Sequence, residues 1–422
     1  MGRRNLMSKV VFFGVDLHGH VNPTLGLVSK LIERGEEVVY YCSDAFRDKI
    51  EGTGASFRSY RGLLGFSTHK GSGIDTFLVF ADFLMDRSRI LTSALFDEVA
   101  KLSPDYIIHD AFGLWGKDMA AKLDVPGIAF FANFPFIDEM ADRDPQFFME
   151  YVLRAQGDPL YERNRGKHDI YRKLLDRLSG MIALRYNLPP MNVINDVFCS
   201  KQPLNLLFTS REFQIYEDAF DDTHLFAGYS LHPRREAVEF PYELLDGRPL
   251  VYIAFGTILN ELRDAYEACF AALGDGRYQV VMSVGSTDLA GLRELIPDNF
   301  IVRSYVPQLD ILSRAALFIT HGGANSIYES LCSEVPMVVL PQVFDEYMGA
   351  LMVERAGAGI YIRDSRAAPD QLKQAVDRAV SLPEFKASCA RVRESFERTG
   401  GLDRAVEEIL KYTKQKVYDD AY

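Results

Sequence analysis

Short runs of β-branched and aromatic residues alternate with longer amphipathic segments along almost the whole chain, and this alternation constrains the fold more than any other feature. In the first half, Val10–Val15, Val38–Cys42, Tyr106–Ile108 and Ile128–Ala132 read as strands. Pro23–Arg34 reads as a helix, with Asn22 as N-cap, Pro23 at the first helical position and Gly35 as its stop. Thr76–Leu102 is a longer helical stretch. A second series follows, with strands at Leu250–Phe255, Gln279–Val284, Phe300–Arg303, Leu317–Thr320 and Met337–Leu340. Alternation of this kind implies α/β architecture, with parallel sheets covered by helices on both faces. In such sheets ligands bind beyond the carboxyl ends of the strands, so residues at those ends are the ones to inspect.

The two series set the domain plan. Residues 1–230 form an N-terminal domain, with a charged, mostly helical insertion from about Met140 to Asn187. The Pro-, Arg- and Glu-rich stretch 231–245 reads as a linker. Residues 246–398 form the second domain, and 399–422 carry a final amphipathic helix. A length of 422 residues suits two or three domains, and 48% hydrophobic residues suffice for real cores.

A net charge of −12 argues against nucleic acid as a partner, since phosphate backbones need a basic face. The five cysteines (Cys42, Cys199, Cys269, Cys332 and Cys389) are scattered and form no Cys-x-x-Cys pair, against a disulfide framework or a zinc site. Met1-Gly-Arg-Arg imitates the start of a signal peptide, but the apolar run after it is only strand-long and no cleavage site follows. No stretch approaches the ~20 apolar residues of a membrane span. The expectation is a cytoplasmic protein with no integral membrane segment.

Several familiar motifs are absent or imperfect. No Gly-x-Gly-x-x-Gly follows a strand. The Gly14…Gly19 spacing imitates a P-loop, but His20 and Val21 stand where Lys and a hydroxyl belong. Asp142-Arg-Asp144 matches a metal-binding Asp-x-Asp, but it is short and falls in the helical insertion. More informative is Leu17-His18-Gly-His20-Val-Asn22-Pro23 directly after the first strand, together with Asp110 ending another strand. A lone loop histidine is usually unremarkable. A carboxylate facing the same crevice changes that, because it holds the imidazole in one tautomer and stabilises its protonated form. His109, on the opposite face of its strand, reads as structural.

The strongest signal lies further on: Tyr305-Val306-Pro-Gln308, then His321-Gly-Gly323-Ala-Asn325-Ser326-Ile-Tyr-Glu329, then Asp345-Glu346. A strand meets two glycines and a helix opens near Asn325, which offers close backbone approach and N–H donors to a diphosphate. Ser326-x-x-Glu329 also fits a plain capping box.

These segments resemble the nucleotide-diphosphate-sugar glycosyltransferases (UDP-glycosyltransferase family 1), and the His-Val-Asn-Pro loop resembles their bacterial macrolide branch. The resemblance covers nearly the whole chain. It implies the GT-B fold, in which two doubly wound Rossmann-like domains face across a cleft, the first binding acceptor and the second nucleotide sugar. It also implies that the final helix returns to the first domain.

By the same resemblance, His20 is the general base and Asp110 its partner. Tyr305 replaces a Trp that stacks on the base, Val306 contacts the base through its backbone, Gln308 lies beside the nucleoside and Glu329 binds ribose. His321, Gly323, Asn325 and Ser326 hold the diphosphate, Thr257 lies near the transferred sugar, and Asp345 and Glu346 read its hydroxyls. Glu346 departs from the family's Gln. As a carboxylate it is expected to accept from two sugar hydroxyls, with Asp345 taking a third, which favours UDP-glucose over deoxysugar donors.

The implied reaction is inverting O-glycosyl transfer to a small hydrophobic acceptor such as a macrolide or flavonoid, with no metal or other cofactor. Among Phe66, Phe77, Phe80, Phe83, Phe130, Phe131, Phe134 and Phe136, the loop residues Phe134 and Phe136 are the expected acceptor contacts. Nucleotide-sugar 2-epimerases of the same fold are an alternative that paired carboxylates in the first domain would favour. A non-catalytic partner is another, expected to have lost the base or the donor residues.

Overall fold

The computed structural model describes residues 8–65, 73–229, 231, 238–256, 263–287, 291–363 and 368–419. The chain divides into two compact units, Met1–His232 with Arg398–Tyr422, and Pro233–Glu397.

Unit 1 holds seven parallel strands: β1 (Lys9–Phe13), β2 (Glu37–Cys42), β3 (Ser56–Ser59), β4 (Tyr106–Asp110), β5 (Gly127–Phe131), β6 (Leu204–Leu207) and β7 (His224–Phe226). Their order is β3-β2-β1-β4-β5-β6-β7. Unit 2 holds six, also all parallel: β8 (Leu250–Ala254), β9 (Gln279–Ser283), β10 (Phe300–Arg303), β11 (Leu317–Thr320), β12 (Met337–Val339) and β13 (Gly359–Tyr361). Their order is β10-β9-β8-β11-β12-β13. In each sheet the order reverses beside the first strand, between β1 and β4 and between β8 and β11. Such reversals part the crossover helices and open a crevice at the strands' carboxyl ends.

Strands β3, β6, β7 and β13 escape a reading by hydrophobic runs. β3 is polar and lies on the sheet edge, while β7 and β13 have three residues each. Without a longer run of β-branched residues around them, as β12 has in Met337–Leu340, such short segments carry no signal of length or alternation.

Strand alternation gives each sheet two apolar faces. In unit 1 one face packs Val10, Phe12, Tyr40, Ile108 and Phe130 against the helix His18–Glu33 and against Ala405, Val406 and Ile409 of the last helix, Gly401–Asp419. The other packs Val11, Phe13, Ile107, Trp115 and Met119 with Leu91 and Leu95 of the helix Ile74–Leu102. The chain re-enters unit 1 at Arg398, whose guanidinium donates to both carboxylate oxygens of Glu212 at 2.6 and 2.7 Å. The insertion between β5 and β6 is held by buried Asp138, which accepts from Tyr171 (2.7 Å), Arg172 (2.5 Å) and Asn192 (2.7 Å). No described helix is long and apolar enough to cross a membrane.

The first helix begins earlier than its local sequence indicates. It spans His18–Glu33 with Leu17 as N-cap, so Pro23 lies inside it and Asn22 is no cap. Val21 N–H donates to the Leu17 carbonyl at 3.0 Å, closing the first turn. Pro23 cannot supply the bond to Gly19 four residues back. Burial of Val21 and a tertiary bond made by His20 hold the turn nonetheless.

Ile409 is fully buried against the β1–β2 face. Ile409→Ala should lower unfolding free energy by about 2–5 kcal/mol in urea denaturation of the full chain; a loss below about 0.5 kcal/mol would mean that the last helix is not docked on unit 1.

Candidate active site

At the reversal in unit 1, β1 and β4 run side by side with Phe13 level with His109. Asp110 is the last residue of β4 and fully buried. His20 sits in the first turn of the helix that follows β1 and is 8% exposed. Its Nδ1 lies 2.7 Å from Asp110 Oδ2, while Asp110 Oδ1 accepts the Phe112 N–H at 2.8 Å. A carboxylate only accepts, so Nδ1 carries the hydrogen and Nε2 the lone pair. A proton arriving at Nε2 makes an imidazolium already in contact with a buried negative charge.

Asp16, which ends the apolar run of β1, is a second carboxylate near His20. Burial pushes its pKa up, and His20 partly offsets that. Its Oδ1 is buried with no hydrogen-bond partner among the described residues. The sequence signal was the acidic residue itself, ending the apolar run Val10–Val15.

His109 is structural. Nδ1 donates to its neighbour Asp110's carbonyl (2.9 Å) and Nε2 accepts from Gln202 (2.9 Å), while burial lowers its pKa to about 4. Asp142 and Asp144 are structural too. The first pairs with Arg172 at 2.6 Å; the second accepts the Phe147 N–H at 2.9 Å and the Tyr216 hydroxyl at 2.7 Å.

The aromatic residues need a correction. Phe134 is fully buried and Phe136 nearly so, because the chain leaving β5 turns both inward. The part-exposed aromatic surface beside His20 is instead Phe112, 5.4 Å from the His20 ring, with Phe80 edge-on to Phe112 at 5.3 Å. Both are part-exposed. Phe66 lies outside the described residues.

At the reversal in unit 2, β8 runs into Gly256 and β11 into His321-Gly322-Gly323. A side chain at Gly256 would place its Cβ 2.9 Å from His321 Nε2, and one at Gly323 2.5 Å from it, so only glycine leaves the ring this position. His321 donates to the Ala254 carbonyl, and burial lowers its pKa to about 4, so the ring is neutral. Gly323 is the N-cap of the helix Ala324–Cys332, which puts Asn325 and Ser326 in its first turn, where main-chain N–H groups have no acceptor within the helix. Ser326 and Glu329 therefore lie inside the helix and form no capping box.

Glu329 is buried and accepts Gln308 Nε2 at 2.8 Å, while Gln308 Oε1 accepts the Tyr252 hydroxyl at 3.0 Å. Tyr252 is an addition to the sequence-derived set. Tyr305, just past β10, exposes 51% of its surface, and Val306 beside it is buried. Thr257 lies outside the described residues.

Asp345 and Glu346 open the helix Phe344–Ala356. Glu346 does not offer two open oxygens to a sugar. Its Oε2 accepts the main-chain N–H groups of Gln342 (2.7 Å) and Val343 (3.1 Å), capping its own helix. Burial, reinforced by Asp345, raises its pKa to about 8, so the group is largely uncharged at neutrality. The expected grip by an ionised Glu346 on two sugar hydroxyls fails on both counts. Among the described residues no cluster of three His, Cys, Asp or Glu side chains is placed to hold a metal ion.

Two doubly wound parallel sheets, each with its site residues at a strand-order reversal, make the GT-B fold. Residues 267–399 match the family described as erythromycin biosynthesis protein CIII-like, C-terminal domain. The chain is 31% identical to YojK, an uncharacterized UDP-glucosyltransferase of Bacillus subtilis, over 97% of this chain and 98% of that protein. It is 27% identical to the oleandomycin glycosyltransferase of Streptomyces antibioticus, over 95% of this chain and 90% of that one. The crystal structure of the kitacinnamycin glycotransferase has the same fold, with a TM-score of 0.74 at 24% identity, covering 96% of this chain and 98% of that one. The protein belongs to the nucleotide-diphosphate-sugar glycosyltransferase family.

Because Asp110 is buried, His20→Ala should cost stability, by about 1–3 kcal/mol in urea denaturation, since one carboxylate oxygen loses its partner without gaining water. Removing both groups in His20→Ala/Asp110→Ala should recover part of that loss. A single variant as stable as wild type would contradict the buried pairing.

Proposed function

We propose that the protein is an inverting O-glycosyltransferase that moves a hexose, glucose from UDP-glucose in the first instance, to a hydroxyl of a small hydrophobic natural product such as a macrolide or phenolic. The observation that carries this reading is the 2.7 Å contact between His20 Nδ1 and Asp110 Oδ2 at the β1/β4 reversal. His20 Nε2 takes the acceptor hydroxyl's proton, and Asp110 holds the resulting imidazolium. The oxygen attacks the anomeric carbon from the face opposite the diphosphate, turning an α-linked donor into a β-glycoside.

Unit 2 supplies the donor half of the reaction. The diphosphate takes hydrogen bonds from the main-chain N–H groups in the first turn of Ala324–Cys332, beside His321, and these stabilise it as it leaves. Tyr305 offers its exposed ring to the base, and Glu329, oriented by Gln308, accepts from ribose hydroxyls. We read the reaction as metal-independent, because Asp142 and Asp144 are engaged by Arg172, Tyr216 and a helix cap. Glucose is supported by the name of the B. subtilis relative, and an apolar acceptor by the oleandomycin enzyme and by the Phe112–Phe80 surface beside His20. A 2-epimerase is not favoured: although Asp16 is a second carboxylate near His20, Asp110 is paired with the histidine and not with Asp16.

Incubation with UDP-glucose and a panel of phenols and macrolides should give products heavier by one hexose, with β-anomeric NMR couplings. An α-glycoside, or a nucleotide sugar inverted at C2 with no product, would overturn the reading. Asp110→Asn should lower kcat by about 10²–10⁴-fold, the range of general-base contributions; near-wild-type turnover would remove the pair from the mechanism. Activity should persist in excess EDTA, and loss restored by Mg²⁺ or Mn²⁺ would reopen the metal question.

A further inference from the structure

We propose that Glu346 is an internal proton source for His321: when a nucleotide sugar binds, the proton on Glu346 Oε1 passes to His321 Nε2, so that a cation meets the diphosphate without a proton drawn from solvent. The step breaks one O–H bond and forms one N–H bond, leaving a carboxylate and an imidazolium. It rests on the donor-site reading above and makes Glu346 a positioning residue that acts through His321.

The geometry assigns each atom a task. Glu346 Oε2 is held by the Gln342 and Val343 N–H groups, so Oε1 carries the proton. His321 Nε2 is the ring atom facing Gly256, Gly323 and Glu346, while Nδ1 lies 3.4 Å from Thr320 Oγ1. Nε2 and Oε1 are 3.9 Å apart, too far for a direct hydrogen bond of about 2.9 Å but suited to a small side-chain shift or one bridging water. Both side chains are largely shielded from solvent, 15% and 10% exposed.

The charges around the pair set where the proton rests. Asp345 on the same helix opposes ionisation of Glu346, and His321 faces it from the end of β11. The neighbouring strand β12 contributes apolar Val339 at Gly322, and Glu329 of the adjoining helix is turned to Gln308. In the empty site burial keeps the proton on the acid (about 8) and off the imidazole (about 4). A diphosphate beside His321 reverses this by stabilising the imidazolium, which in turn stabilises the Glu346 carboxylate that gave up the proton. A glutamine at 346 can cap the helix but has no proton to give.

The test counts protons on binding. Nucleotide-sugar phosphates do not ionise near neutrality, so calorimetric titration with UDP-glucose in buffers of different ionisation enthalpy reports the protein alone. At pH 7 wild type should take up close to no protons and Glu346→Gln close to one. The variant's Kd should then rise about tenfold per pH unit between pH 7 and 8, while that of wild type stays nearly flat. Equal uptake by both proteins overturns the proposal. No binding of UDP-glucose or TDP-glucose by either sinks the donor-site reading itself, a distinguishable failure.

Should Glu346→Gln not fold, wild type alone decides: its uptake should climb from near zero at pH 7 toward one above pH 8, as Glu346 empties, and uptake constant across that window overturns the proposal. Stability gives a second check. An acid whose folded pKa is raised stabilises fully below its unfolded value of 4.5 and loses that contribution as pH rises through about 8. Wild type should therefore weaken relative to Glu346→Gln across that interval, and parallel curves would mean that Glu346 holds no proton in the empty site.

Discussion

A carboxylate buried at the end of a parallel strand has to be hydrogen-bonded, and unit 1 is arranged around how Asp110 meets that requirement. Leaving a buried charge without partners costs several kcal/mol, far more than most local preferences of the backbone. Asp110 takes one hydrogen bond from Phe112 N–H and one from the His20 ring. To deliver that ring, the chain turns into a helix at His18, five residues before the proline that by local rules should begin it. The tautomer of His20, its place on a rigid first turn and the aromatic surface beside it all follow from this contact.

Unit 2 repeats the topology with different electrostatics. The β8/β11 reversal again brings a histidine to the mouth of the sheet, but among the described residues no carboxylate comes within hydrogen-bond reach; Glu346 Oε1 stays 3.9 Å away. Burial dominates, and glycines at 256 and 323 let the backbone close over the ring. One reversal thus holds an imidazole poised to accept a proton against a buried negative charge. The other holds a neutral imidazole beside a helix N-terminus, a setting made for an anion. The proposed division of tasks between the two units, proton acceptance in unit 1 and anion binding in unit 2, follows the same line.

Much of this was legible in the residues. Runs such as Val10–Val15 and Leu317–Thr320 have the length and branching of buried parallel strands, and the glycines after His321 announced close backbone approach. Elsewhere local signals misled or were absent. Asn22-Pro23 looks like a helix start because the pair fits one in isolation, and Ser326-x-x-Glu329 looks like a cap for the same reason. Both lose to contacts from distant sequence: Asp110 on His20, and Gln308 on Glu329. Phe134 and Phe136 have the composition of a ligand wall, but inward or outward direction is set by how the chain leaves β5, which no periodicity records. Phe112 and Phe80 reach His20 from two different elements.

By itself the sequence determined the fold class, the sites at the strand ends and the identity of the residues gathered there, because strand length, glycine placement and side-chain chemistry are local properties. Only the tertiary structure decided their states. It decided that His20 Nδ1 faces a fully buried carboxylate, that one oxygen of Glu346 is held by its own helix, and that burial pushes the pKa of that group up. Those outcomes depend on solvent exclusion and on distances between residues far apart in the chain, 90 positions in the case of His20 and Asp110. Burial and proximity change a group's charge by more than its own chemistry specifies, and they exist only once the sheets have closed.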